Sequence, residues 1–291
     1  MIRTALLGLV PALLLAGCVP HRAGPAPGSV AFTIGQPYQL GGEWQYPHDF
    51  NSYHVTGLAT VYGQDAPDAT ADHERYDPDA LAAASPVLQL PAIVTVTNLV
   101  NGYSTEVRVN DRGPAIPGRV LEVTPRVARL LNFPVGGVVE VAVTMDQAAT
   151  ASLDGALGDG PKMTAAPIAG ITAQPLGTPG GAAPPIVEKL GPTPQAGMDA
   201  NPDVQLSGRV TVAAPAPGPL YVQIPGFGRE YDAYRMKARL YGMPSQITPE
   251  FAGDRTLYAV QAGPYHSVAA ADAALHRILS LGIPDPEIIV R

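Results

Sequence analysis

Short runs of alternating apolar and polar residues fill positions 55–145, and most are bounded by Gly, Pro, Asn or Asp. A period of two gives a strand one face for a core and one for solvent, so this stretch predicts a compact β-rich domain. Its clearest element is Ile93-Val94-Thr95-Val96-Thr97-Asn98, then Asn101-Gly102, then Ser104-Thr105-Glu106-Val107-Arg108-Val109. Asn and Gly both tolerate positive φ, which a tight hairpin turn requires, so the two runs predict an antiparallel pair. Thr124 can cap a helix over 125–132 that has Pro125 in its first turn, and Phe133 to Thr144 reads as a closing strand.

A second patterned region spans 219–291 and repeats itself: Tyr221-Val222-Gln223-Ile224-Pro225-Gly226-Phe227 echoes Ala259-Val260-Gln261-Ala262-Gly263-Pro264-Tyr265. Each copy precedes a helical segment. In the second, Ser267 can cap, Val268, Ala271, Leu275, Ile278 and Leu279 form one apolar stripe, and Gly282 and Pro284 stop the helix. A doubled strand–helix–strand unit predicts a small sheet with both helices on one face and the other face open. If Val222, Ile224 and Val260 face the helices, Gln223 and Gln261 face outward. Between the two regions, 146–218 has no sustained period and is dominated by Ala, Pro and Gly, which reads as a linker. Some 70 flexible residues have a typical reach of roughly 45 Å, so the two folded ends are expected to work at different points on an extended substrate.

Composition narrows the partners. With 32 Pro and 31 Gly in 291 residues, only part of the chain is expected to fold. Charged residues make up 15%, the net charge is −7 and no basic stripe occurs, which excludes a nucleic-acid footprint. The neutral sugars of a glycan need no opposing charge and suit such a surface. Arg3 followed by the apolar run Ala5 to Ala16 reads as a signal peptide, too short to span a bilayer. It ends in Leu15-Ala16-Gly17-Cys18, which resembles the lipobox of bacterial lipoproteins, where the chain is cut before a cysteine that is then diacylated. That resemblance implies a membrane anchor on Cys18. Val19 in place of an aspartate favours the outer membrane. Cys18 is the only cysteine, so no disulfide is expected.

Several stretches resemble the rare lipoprotein A family. Gly57-Leu58-Ala59-Thr60-Val61-Tyr62-Gly63 is similar to the family's G-x-A-S-W-Y-G, and Thr70-Ala71-Asp72-His73-Glu74-Arg75-Tyr76-Asp77-Pro78 to its T-A-N-G-E-x-F-D. Val107-Arg108-Val109-Asn110-Asp111-Arg112-Gly113-Pro114 resembles its most specific motif, and the C-terminal repeat resembles a SPOR domain. The resemblance implies a mainly β plus α+β chain: signal peptide 1–17, flexible tether 18–36, double-psi β-barrel 37–145, linker 146–218 and ferredoxin-like SPOR domain 219–291. It also implies a septal peptidoglycan lytic transglycosylase acting on glycan strands stripped of stem peptides.

That chemistry needs an acid for the leaving oxygen and a base for the attacking hydroxyl, roles that one carboxyl can fill in turn. The resemblance points to Asp111 and Glu74 as the catalytic carboxyls, with Asn110 and Arg112 in support. Read from its residues alone, Asp111 also fits an Asx turn, Glu74 a solvated loop carboxylate, and Arg112 either an ion-pair partner of Asp111 or a glycan donor. Gln223 and Gln261, with Tyr221 and Tyr258 nearby, are the expected glycan contacts. The family's L-T-A-A-H reads Leu81-Ala82-Ala83-Ala84-Ser85 here, so Ser85 stands where the family has histidine. A serine hydroxyl is no general base near neutral pH, which leaves a binding-only wall protein as the alternative expectation. The six histidines lack paired ligand spacing, so neither a metal nor a cofactor is expected.

Overall fold

A computed structural model of the chain describes residues 30–63, 66–134, 137–157, 206–252 and 255–291. Cys18 and most of the expected linker lie outside these residues.

The first strands, β1 (Tyr38–Leu40) and β2 (Glu43–Gln45), form a hairpin. Six more, β3 (His54–Val61), β4 (Ala82–Ala84), β5 (Ala92–Asn98), β6 (Tyr103–Asp111), β7 (Arg119–Val123) and β8 (Val139–Met145), follow one another round a barrel in the order β4-β7-β3-β8-β5-β6. A parallel β4–β6 pairing closes it, and β3 and β7 are parallel too. Closure leaves no free strand edge to template aggregation. The predicted hairpin is β5–β6, with Gly102 at φ +79°. Inward positions of its alternation, Val94, Val96, Val107 and Val109, are buried with Leu121, Val123, Val141 and Val143. Helix α1 (Pro125–Leu130) is capped by Thr124.

The span expected to be linker is ordered at both ends. Helix α2 (Gln147–Ala156) starts where the Asp146 side chain accepts from Ala149 N–H, and buries Thr150 and Leu153. The Thr150 hydroxyl accepts from Ile93 N–H at 3.0 Å, which ties α2 to the barrel. Strand β9 (Thr211–Val212) pairs with the start of β6, and Ala216 N–H donates to Leu99 O. The tether is likewise pinned where it meets the barrel: Ala31 N–H donates to Asp72 O, and Thr33 bridges Leu90.

The C-terminal unit comprises β10 (Leu220–Phe227), α3 (Glu230–Arg239), β11 (Ser245–Ala252), β12 (Arg255–Tyr265), α4 (Val268–Ser280) and β13 (Glu287–Val290), with sheet order β11-β12-β10-β13. Ser267 caps α4 as expected. Val222, Ile224, Val260 and Ala262 pack with Ala271, Leu275 and Ile278, so both helices cover one face, the ferredoxin-like arrangement.

The two units dock on each other. Leu58 of β3, wholly buried, belongs to the C-terminal core. Thr56 Oγ1 donates to Val290 O at 2.7 Å, and Arg119 grips both Asp272 oxygens at 2.7 and 2.8 Å. A Cβ on Gly57 would lie 2.6 Å from Val120 and 3.0 Å from Ile288 O, so only glycine permits this approach. The linker therefore joins domains that touch, rather than ends that stand apart.

Candidate functional site

Strand β6 delivers its last residues to one end of the barrel, where a strap formed by 70–76 crosses it. Three donors converge on the buried Asp111 carboxyl. Oδ1 accepts from Ala71 N–H at 2.9 Å and from Arg112 N–H at 2.8 Å, and Oδ2 accepts from the Tyr62 hydroxyl at 2.9 Å. Only the Arg112 bond is local turn chemistry; Ala71 comes from the strap, 40 positions away, and Tyr62 from the end of β3 across the barrel. Burial, followed by the Asp111 charge and hydrogen bond, pushes the Tyr62 phenol far up, so it remains a donor at neutral pH. Its ring meets Tyr76 at 5.0 Å. A cleft of about 400 Å³, lined by Asp68, Arg75, Tyr76 and Pro78 among others, opens beside that ring.

Glu74 is held, not solvated. Asn110 Nδ2 donates to its Oε2 at 2.6 Å, and Arg108 Nη2 lies 2.7 Å from its Oε1. Arg108 and Asn110 are two apart on β6 and so share a face. Consecutive residues at the strand end thus secure both carboxyls, Asn110 reaching Glu74 and Asp111 the strap backbone.

Three members of this cluster carry no signal in the sequence. Arg108 pairs with a residue 34 positions away, which no local pattern reveals. Asp72 is wholly buried between Thr70 Oγ1 (2.7 Å) and Arg108 (3.6 Å). Burial, then the Glu74 charge, raises its pKa to about 6. Glu122 of β7, paired in register with Ala84, brings a fourth carboxyl: its Oε2 stands 3.1 Å from where a Cβ on Gly113 would sit, and its charge helps to raise Tyr62 and Tyr76. Its apolar neighbours Leu121 and Val123 made it look like an ordinary strand residue.

Arg112 makes no close ion pair with Asp111 among the described residues. Its guanidinium donates to three backbone carbonyls, those of Ser85, Leu88 and Ile34, and braces the β4–β5 connection and the tether behind the site. Burial lowers its pKa from the usual arginine value. Ser85 is fully buried behind Asp111: its N–H donates to Asp111 O, and its hydroxyl accepts from Val87 and Leu88 N–H at 3.4 Å. His73, the neighbour of Glu74, is exposed in a turn at φ +73°, with its N–H donating to Thr70 O.

On the C-terminal sheet, Gln223 and Gln261 sit directly opposite one another on the face away from the helices, as expected. They are nevertheless buried, at 8% and 1% exposure, and their amides meet at 2.7 Å. Gln246 (3.3 Å) and Thr248 (3.1 Å) extend the row across the sheet. Tyr221 lies on the glutamine face by alternation. Tyr258 does not: it is half-buried and packs against the core on the helix side of the sheet. Among the described residues, no group of three His, Cys, Asp or Glu side chains is arranged to hold a metal ion.

Comparison with known proteins places both units. Residues 54–143 match the family described as lytic transglycolase, a double-psi barrel, and residues 216–289 match the SPOR domain. The chain is 33% identical over 259 residues to the endolytic peptidoglycan transglycosylase RlpA of Pseudomonas aeruginosa strain UCBPP-PA14, covering 85% of this chain and 75% of the relative. It is 42% identical over 102 residues to that of Yersinia pestis and 37% over 102 residues to that of Escherichia coli K12; these matches cover 34% of this chain and 28% of each relative. Barrel, SPOR unit and a match along most of the chain agree, and the protein belongs to the RlpA family.

Proposed function

We propose that the protein is an endolytic peptidoglycan lytic transglycosylase that uses Asp111 and Glu74. The observation carrying this reading is the convergence of three donors on Asp111 while Asn110 and Arg108 fix Glu74 on the same strand end. In the reaction, the 6-hydroxyl of an N-acetylmuramic acid attacks its own anomeric carbon. The bond to the oxygen of the next N-acetylglucosamine breaks, a carboxyl gives that oxygen a proton, and the attacking hydroxyl loses its own to a carboxylate. The product ends in a 1,6-anhydro ring and no water is consumed. Asp111 exchanges the protons, and the Glu74 carboxylate stabilises positive charge on the ring in the transition state.

In this reading Cys18 carries the lipid anchor that holds the chain at the periplasmic face of the outer membrane. The SPOR unit takes it to peptide-stripped strands at the division septum through the face bearing Gln223, Gln261 and Tyr221. The two glutamines there act as a hydrogen-bonded floor that orders the exposed groups around them. Mass spectrometry of peptidoglycan digested by the chain from Val19 onward tests the chemistry: anhydro-muropeptides are expected from wild type and not from Glu74→Gln. Gln223→Ala with Gln261→Ala should weaken glycan pull-down, and unchanged retention would remove the glutamine row from the binding face.

A second reading, a wall-binding protein without chemistry, rests on Ser85. The buried hydroxyl is committed to backbone amides and supplies nothing in place of the family histidine. Retained binding with no anhydro product from wild type selects it.

A further inference from the structure

The two docked units enclose a cleft of about 280 Å³ that the proposed chemistry does not use. One wall is the β1–β2 hairpin with Glu43, Trp44 and Tyr46; the second is the loop 114–118; the third is the segment 285–288 of the SPOR unit. Trp44 and Tyr46 keep 51% and 47% of their surface exposed, although large aromatics are usually covered. Carboxyls of Glu43, Asp285 and Glu287 line the same space. Arg119, also in the lining, is already committed to Asp272.

The walls are fixed. Gly41, at φ +61° in the hairpin turn, lies so close to Ala115 O that any Cβ would collide with it, which locks the hairpin to loop 114–118. That loop follows Asp111-Arg112-Gly113 directly. Pro86, which neighbours Ser85, also lines the cleft, and its carbonyl accepts from the Tyr38 hydroxyl at 2.9 Å. The third wall is held by the Arg119–Asp272 pair and by the Thr56–Val290 contact. The cleft therefore exists only while the SPOR unit is docked, and it shares its walls with the surroundings of Asp111.

Exposed aromatic faces beside carboxylate and amide acceptors match a pyranose ring, which offers an apolar C–H face to stack and a rim of hydroxyl donors. Three carboxyls, with no uncommitted cation among the described residues of the lining, disfavour an anionic occupant. In peptide-stripped glycan, N-acetylmuramic acid carries a free lactyl carboxylate, whereas N-acetylglucosamine is neutral. We propose that the two-domain cleft is a saccharide subsite that seats an N-acetylglucosamine ring against Trp44, remote from the bond cut at Asp111. This subsite rests on the glycan-acting reading above and extends it: SPOR docking completes part of the substrate groove, so a strand held by the SPOR unit is presented in register to the barrel.

Trp44 is the only tryptophan in the chain, so its emission reports on this site alone. All described elements lie within the chain from Val19 onward, and that protein is titrated with N-acetylglucosamine tetramer. A saturable change in tryptophan emission is expected. It should persist in the Gln223→Ala, Gln261→Ala double variant and weaken roughly fivefold or more in Tyr46→Ala, which removes one exposed aromatic face. Silent emission, or a response lost with the SPOR glutamines, overturns the subsite. A parallel assay for anhydro products separates the two readings. Product formation with a silent Trp44 removes the subsite alone, whereas a responsive Trp44 without product keeps the subsite and removes the transglycosylase.

Discussion

Asp72 gives the sharpest quantitative test of how the strap over the site is held. Its carboxyl is wholly buried, and burial, then the Glu74 charge, raises its pKa from 3.8 to about 6 against the opposing effects of Thr70, Arg108 and the Glu74 N–H. A carboxyl with a folded pKa above its unfolded value binds its proton more tightly when folded. Its contribution to stability is therefore complete below about pH 4 and is lost as pH rises through about 6. A difference of about two units corresponds to on the order of 3 kcal/mol at neutral pH. Asparagine keeps an oxygen for Thr70 Oγ1 and the Glu74 N–H, and it removes the charge together with the 3.6 Å pairing to Arg108. Asp72→Asn is thus expected to raise the unfolding free energy at neutral pH by about 1–3 kcal/mol, with a gain that shrinks toward zero near pH 4. Urea unfolding of both proteins at several pH values measures this. A variant less stable than wild type at neutral pH, or a gain that does not grow with pH, would show that the Arg108 pairing offsets the cost of burying the Asp72 charge and would refute the reasoning.

Other predictions follow from the same strap and its support. His73 sits at φ +73°, where a side chain costs about 1–2 kcal/mol and glycine costs little. His73→Gly should therefore raise the melting temperature by a few degrees after the added unfolded-state entropy is discounted; a lower melting point in calorimetry counts against this. Ser85 is fully buried, so restoring the family residue by Ser85→His should destabilise by about 1–3 kcal/mol through overpacking, without raising the yield of anhydro product. Increased product in that variant would show that the site has room for the ring. Glu122→Gln, which removes a carboxyl whose charge acts on Tyr62, should lower product formation roughly tenfold by loosening the mouth of the site; unchanged rates would make Glu122 structural.

Much of this was legible because it is local. The β5–β6 hairpin, the Thr124 and Ser267 caps and the repeated strand–glutamine–helix pattern each depend on residues a few positions apart and appear as expected, although the hairpin loop runs over four residues, 99–102, with only Gly102 at positive φ. Even the orientation of Tyr258 was available: it lies two residues before Val260 and so shares its helix-facing side. Long-range pairings were not legible. Nothing local distinguishes Leu58 as part of a second domain's core, or Gly57 as the residue that lets that domain approach. Helix α2 was hidden by its Ala-rich composition, although Asp146 as cap with Thr150 and Leu153 at spacing three gave a weak helical signal. At the site, the motifs point to Asp111 and Glu74, but nothing local shows that Arg108, three residues before Asp111 on β6, reaches Glu74, that Tyr62 from the end of β3 reaches Asp111, or that Arg112 is spent on backbone carbonyls.

The central claim is that Asp111 drives water-independent cleavage of the glycan strand. Digestion of peptide-stripped glycan in ¹⁸O-enriched water, with wild type and Asp111→Asn side by side, tests it most directly. The account predicts unlabelled products from wild type, each lighter than a hydrolytic product by one water. It predicts about a hundredfold or greater loss of those products in the variant, the scale of a missing acid–base group. Label incorporated into the wild-type product would make the enzyme a hydrolase, and undiminished cleavage by Asp111→Asn would place the chemistry elsewhere in the barrel.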